Sequence, residues 1–193
     1  MKKIIITIIL ITSFSFASNA QFASNTQEEL KIDITKSELK WFGEYTFYFG
    51  GHEGTIQFKE GHFIKTNHKI TGGEFVIDMN SIINIDIEKG EANTDLVNHL
   101  KNSDFFDVKN FPTSKLVITK VTYHDATHMK IYADFTIKGI TLPIDFQAEV
   151  DFKKEQLTTK FKIDRMRWGI NYNSKFKDGA ISDAIGFEIK LSL

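Results

Sequence analysis

From Leu30 onward, apolar and polar residues alternate with a period of two, and few features restrict a fold as strongly. Ile131, Ala133, Phe135 and Ile137 are spaced by Tyr132, Asp134 and Thr136, and Ile144, Phe146, Ala148 and Val150 by Asp145, Gln147 and Glu149. Successive side chains of a strand point to opposite faces, so each such run has one face for a core and one for water. The same pattern marks Leu39 and Trp41, Ile56 and Phe58, Phe75, Ile77 and Met79, Phe161 and Ile163, and the run Ile185, Phe187, Ile189, Leu191, Leu193. Turn chemistry separates the runs at Gly50-Gly51, Glu60-Gly61, Gly72-Gly73, His124-Asp125 and Lys177-Asp178-Gly179, and residues 138–143, ending in Pro143, read as a further connection. About eight strands are too many for a small open sheet that does not curl. Closure into an antiparallel barrel removes the edges and leaves room for a slender ligand, whereas a two-sheet sandwich buries the same faces. Alternation does not separate these two all-β architectures.

One stretch departs from the period. Leu96 and Leu100 are four apart, Asn93 or Thr94 is a capping-type residue ahead of them, and Asp95 falls in the first turn, which predicts a short helix ending near Asn102. Phe105 and Phe106, between Asp104 and Asp107, follow in a turn.

The start of the chain reads as an export signal. Lys2 and Lys3 precede an apolar run from Ile4 to Phe16, which is shorter than the roughly 20 residues a membrane anchor needs. The run closes on Ser18-Asn19-Ala20, the small-x-small pattern of a signal peptidase site, so residues 1–20 are expected to be removed after Ala20. Residues 21–29 are polar and read as a flexible leader, and residues 30–193 as one domain. The absence of cysteine removes both disulfides and a lipid-accepting thiol. After the signal, no segment reaches membrane-spanning length. The formal net charge of −1, with lysines and acids interspersed, argues against a nucleic-acid partner.

No nucleophile elbow, phosphate loop or cysteine nucleophile is present. Gly50-Gly51-His52-Glu53-Gly54 lacks the lysine and helix of a phosphate cradle and reads as a hairpin turn. His124 and His128 have helical metal-ligand spacing with Asp125 between them, but they fall in a predicted hairpin, where that spacing means little. His52 and His62 read as turn residues and His99 as a helix residue. Acid pairs such as Asp104 with Asp107, or Asp86 with Glu88, read as solvated turn residues. No metal or cofactor is implied. Arg165 shares the face of Phe161 and Ile163, where a charge is costly unless paired, and a rim ion pair with an acid such as Asp183 answers that cost.

Four ordered motifs carry a resemblance. Asn93-Thr94-Asp95 leads to His99-Leu100-Lys101-Asn102-Ser103-Asp104-Phe105-Phe106-Asp107 and then Asn110-Phe111-Pro112-Thr113. Phe135-Thr136-Ile137-Lys138-Gly139-Ile140-Thr141-Leu142-Pro143, Ile163-Asp164-Arg165-Met166-Arg167-Trp168-Gly169-Ile170, and Gly73-Glu74-Phe75-Val76-Ile77-Asp78-Met79-Asn80-Ser81-Ile82 are the others. Together, from about Asp33 to Leu193, they resemble the YceI-like family. The resemblance implies an extended, lipocalin-like antiparallel barrel with a helix by its mouth. It further implies a periplasmic or secreted, non-enzymatic protein that holds a polyisoprenoid, an isoprenoid quinone or a similar long-chain lipid. Two departures stand out: Leu96-Val97 replaces the Arg-Asp pair many members carry before His-Leu, and Lys101 replaces the usual arginine after it. If those charges hold a polar head, the head differs here.

Under this resemblance the excess of phenylalanine, 18 in the chain, gains a use as tunnel wall, since these side chains offer large, stiff apolar faces at low entropic cost. Alternation nominates Leu39, Trp41, Ile56, Phe58, Phe75, Ile77, Phe135, Ile137, Phe146, Phe161, Phe187 and Ile189 as lining, with Leu96, Leu100, Phe105 and Phe106 near the mouth. An enzyme working on a lipid or sugar, with Arg165, His99 and an acid at the mouth, is the runner-up reading, and a structural or adhesive module whose barrel is filled by its own side chains is a third. The sequence leaves room for a homodimer.

Overall fold

The alternating runs form nine antiparallel strands in the computed structural model, which describes residues 26–46, 49–172 and 181–193. They are β1 (Gln27–Lys31), β2 (Glu38–Tyr45), β3 (Gly51–Thr66), β4 (Lys69–Asn84), β5 (Thr113–Tyr123), β6 (His128–Ile137), β7 (Ile140–Asp151), β8 (Gln156–Asp164) and β9 (Ile181–Ser192). Each of β2 to β9 pairs with its neighbour in sequence, and β2 also pairs with β9, closing an eight-stranded up-and-down barrel. Closure decides the question that alternation left open: a barrel, and not a sandwich. The signal segment and the 177–179 turn lie outside the described residues.

β1 continues the row of β2, since both lie on the same edge of β3, at Phe63 and its neighbours and at Gly54 and its neighbours respectively. Gln27, Glu28 and Glu29, assigned to the leader for their polarity, therefore belong to a strand. A ladder is made by backbone groups, so an exposed edge segment needs no apolar alternation to join it.

Two glycine pairs read as turns lie inside strands. β3 runs through Glu60-Gly61 and β4 through Gly72-Gly73, and register shifts along this ladder bend both strands around the barrel. At Gly61 an added Cβ would stand 2.5 Å from the Phe75 ring, so glycine serves close packing there. The actual β3–β4 turn is Asn67-His68, both with positive φ (51° and 67°). His62 accordingly lies in β3, as does His52. The connection assigned to residues 138–143 shrinks to Lys138-Gly139, with φ of 49° and 73°, and Ile140 to Pro143 already belong to β7. Pro143 occupies a β7 position with no partner in β8, whose ladder to β7 covers only Ala148 to Asp151.

The helix α1 (Glu91–Lys101) begins two residues before Asn93. Asn93 does not cap it: its Nδ2 donates to Asn84 Oδ1 at 3.1 Å and to the Ile87 carbonyl at 2.9 Å, tying the helix start to the end of β4. Gly90 stands at the cap position without a side chain to help. Leu100 is buried and Leu96 half-buried against the barrel, and Phe105 is buried in the turn that follows.

Candidate ligand cavity

Two adjacent cavities occupy the barrel. The upper one, beside α1, has a volume of about 300 Å³, and the lower one about 50 Å³. They share Leu39, Ile77, Phe135 and Phe187, so they lie to either side of these four side chains along the interior. Ligand pockets commonly measure about 300–1,000 Å³, which puts this one at the small end.

The nominated lining divides between the two. Leu39, Trp41, Ile56, Ile77, Phe135, Ile137 and Phe187 border the upper cavity, together with Leu96, Leu100, Phe105 and Phe106 from α1 and its following turn. Phe58, Phe75, Phe146, Phe161 and Ile189 border the lower one. Period-two geometry explains this: in a closed barrel, every inward position of every strand faces the same enclosed space. Rings follow one another through it, with Phe146 and Phe161 stacked at 4.4 Å, Phe161 to Phe187 at 5.4 Å, Phe187 to Phe135 at 6.3 Å and Phe135 to Trp168 at 6.1 Å. Trp168 is fully buried and its Nε1 donates to the Phe135 carbonyl at 3.1 Å.

Polar groups gather in the upper cavity. Arg165, 1% exposed, opens a 3₁₀ turn (Arg165–Trp168) after β8. Its Nε donates to the Ser182 carbonyl at 3.1 Å, Nη1 to the Ile170 carbonyl, and Nη2 to Asp183 Oδ1 at 3.2 Å, with the guanidinium carbon 6.0 Å from the Phe105 ring centre. The ion pair expected from sequence is therefore present, supplemented by two carbonyls and a ring. His99 stands edge-on between Phe105 and Tyr172, at 5.3 and 4.4 Å, and its buried Nε2 has no hydrogen-bond partner among the described residues.

A second polar group was not legible beforehand. His52 Nε2 lies 2.9 Å from Tyr45 Oη and His52 Nδ1 lies 2.9 Å from Asp86 Oδ2, while Asp86 also accepts from the Glu53 N–H at 2.9 Å and from Asn84. Burial pushes the Asp86 carboxyl upward, but the hydrogen bonds from Glu53, His52 and Asn84 outweigh it and hold its pKa below the ordinary carboxylate value. Ladder register makes this cluster. Gly54 pairs with Trp41 on β2 and with Asn84 on β4, so two residues further along His52 faces Gly43 and stands beside the segment carrying Asp86. Extending the inward parity of Phe58 and Ile56 through Gly54 to His52 was the available signal.

His124 and His128 flank the β5–β6 hairpin, where the His124 N–H donates to the His128 carbonyl at 2.9 Å and His128 Nδ1 lies 2.9 Å from Asp125 Oδ2. Among the described residues, no helix is long and apolar enough to cross a membrane.

A closed antiparallel barrel with one helix at its mouth and an apolar interior defines the lipocalin-like class of folds. Within that class the chain belongs to the YceI-like family: the model of the YceI-like domain matches residues 22–193. A UPF0312 protein of Vibrio vulnificus is 27% identical over 117 residues, spanning 55% of this chain and only 62% of that protein. One from Staphylococcus aureus is 26% identical over 167 residues, spanning 75% of this chain and 92% of the relative. The crystal structure of Burkholderia cenocepacia BcnA shares the fold with a TM-score of 0.69 at 16% identity, covering 83% of this chain and 98% of that one.

Proposed function

We propose that this chain binds a long-chain apolar lipid, such as a polyisoprenoid or an isoprenoid quinone, in the barrel interior, and carries, stores or sequesters it in the periplasm. The observation carrying this reading is the apolar, aromatic-lined cavity beside α1, with a second, smaller one adjacent to it in the barrel. Each methylene taken from water into it contributes about 0.8 kcal/mol before ordering costs, so tight binding needs no catalytic chemistry. The signal-like start supports export, and the Arg165 guanidinium, already engaged by protein acceptors, supports a structural role for it at the mouth.

Organic extraction of the purified protein followed by mass spectrometry tests the proposal. A stoichiometric long-chain lipid is expected. Its absence, together with no uptake of an added isoprenoid probe, would overturn the reading. Phe135→Asp, which places a charge where both cavities meet, should abolish retention. A Phe135→Leu control should retain the lipid.

A further inference from the structure

The upper cavity's polar groups also bear on the ligand's head, and this inference rests on the lipid-binding reading. We infer that Tyr45, oriented by His52 and Asp86, is a hydrogen-bond acceptor for an uncharged donor head, a hydroxyl in the simplest case, and that the cavity disfavours a phosphate head.

Proton positions follow from the partners. When the His52 imidazole is neutral, an ionised Asp86 accepting at Nδ1 places its one proton there and leaves a lone pair at Nε2. The only proton available between Nε2 and Tyr45 Oη is then the phenol's own. Tyr45 Oη gives that proton to the imidazole and keeps only acceptor capacity for anything in the cavity it lines. A ligand hydroxyl or amide N–H meets it productively. A phosphate, which at neutral pH offers only acceptor oxygens or nearly so, meets lone pairs.

The charges around the cavity agree. Glu44, another lining residue, is a carboxylate whose partner is Lys162, at 2.8 Å. Among the described lining residues the one permanent cation is Arg165, and its three donor nitrogens are each engaged by protein oxygens, one of them on Asp183. Three of the five guanidinium N–H groups are held by protein oxygens and the side chain is 1% exposed, so a phosphate reaching it must displace the packing around a buried residue, whereas a hydroxyl at Tyr45 displaces no protein hydrogen bond. Leu96 is an apolar wall of the cavity, and Lys101 Nζ donates to the Asn80 carbonyl at 2.7 Å.

The test compares three probes of equal tail length at pH 8: geranylgeraniol, its methyl ether and geranylgeranyl phosphate, each titrated into delipidated protein and into Tyr45→Phe. The unmodified protein is expected to bind the alcohol about tenfold tighter than the ether or the phosphate. Tyr45→Phe, which keeps the ring, should bring the alcohol to the level of the ether. Phosphate binding as tight as alcohol binding, or an alcohol-to-ether ratio unchanged in Tyr45→Phe, would overturn the headgroup assignment while leaving tail binding intact. Failure of all three probes would instead overturn the lipid-binding reading, and this inference with it.

Discussion

Gly54 shows what a single position can be asked to do. An added Cβ would stand 1.8 Å from the Ile83 carbonyl and 2.5 Å from the Trp41 ring, so neither backbone nor indole has room to yield. Trp41 itself is held by an Nε1 bond to that carbonyl at 3.2 Å. Gly54→Ala is expected to destabilise by about 1–3 kcal/mol as an overpacking change, measurable as a lower urea midpoint. Arg165 makes a different case. Its carboxylate partner Asp183 is 66% exposed in the side chain, so solvent screens that pair, and Asp183→Asn should cost under about 1 kcal/mol. Arg165→Met leaves the Ser182 and Ile170 carbonyls without their donor and should cost about 2–4 kcal/mol, a contrast that urea titration of the two variants would reveal. Sequence pointed to the Arg165–Asp183 pair because a charge on an apolar face demands one. It did not point to the carbonyls, because no side-chain pattern records where a backbone oxygen will lie.

Among the elements, strand type was legible and strand ends were not. Inward parity from Leu39 to Ile189 nominated strand residues that do border the two cavities, because it depends only on the pleat, but it passed over Tyr45 and His52. Glycine was the misleading letter. Gly61 and Gly73 resemble turn punctuation, yet they sit within β3 and β4 where neighbouring groups approach too closely for a side chain. Asn67-His68, which makes the real turn, lacks the Asn-Gly signature. The helix start was displaced for a related reason: Asn93 found partners on β4 and in the β4–α1 link that only the folded chain supplies. Asn93→Ala should therefore weaken the docking of α1 by about 1 kcal/mol. Hydrogen exchange should quicken across α1 while the barrel amides keep their protection.

Across the whole molecule, several carboxylates are tuned by their neighbours. Lys36 and Thr35 hold Asp33 at about 2, backbone N–H groups of His128 and Thr127 hold Asp125 low, and Lys154 does the same for Asp151, with Asp86 lowered as described. Because each folded value lies below the unfolded one, near 4, the unfolded chain takes up these protons first as pH falls. The stability they contribute is complete above that value and is lost progressively below it. Urea midpoints should be level from pH 7 to 5 and fall below pH 4. Asp86→Asn should lower the neutral-pH midpoint and flatten part of that fall, since Asp86 is the least exposed to solvent of the four. A neutral-pH midpoint equal to that of the unmodified protein would show that the Asp86 cluster adds nothing to stability.

The sequence by itself determined the faces: which residues point inward, that the inward set is aromatic, and through four ordered motifs the family to which the chain belongs. Those properties are local or nearly so, set by the pleat and by residue type. Tertiary structure alone decided closure, through the pairing of β2 with β9 across most of the chain length, and it decided the polar cluster at the mouth. Register is a relation between distant strands. His52 meets Asp86, 34 residues away, only because the β3–β4 ladder aligns them, and no periodicity within either strand encodes that alignment.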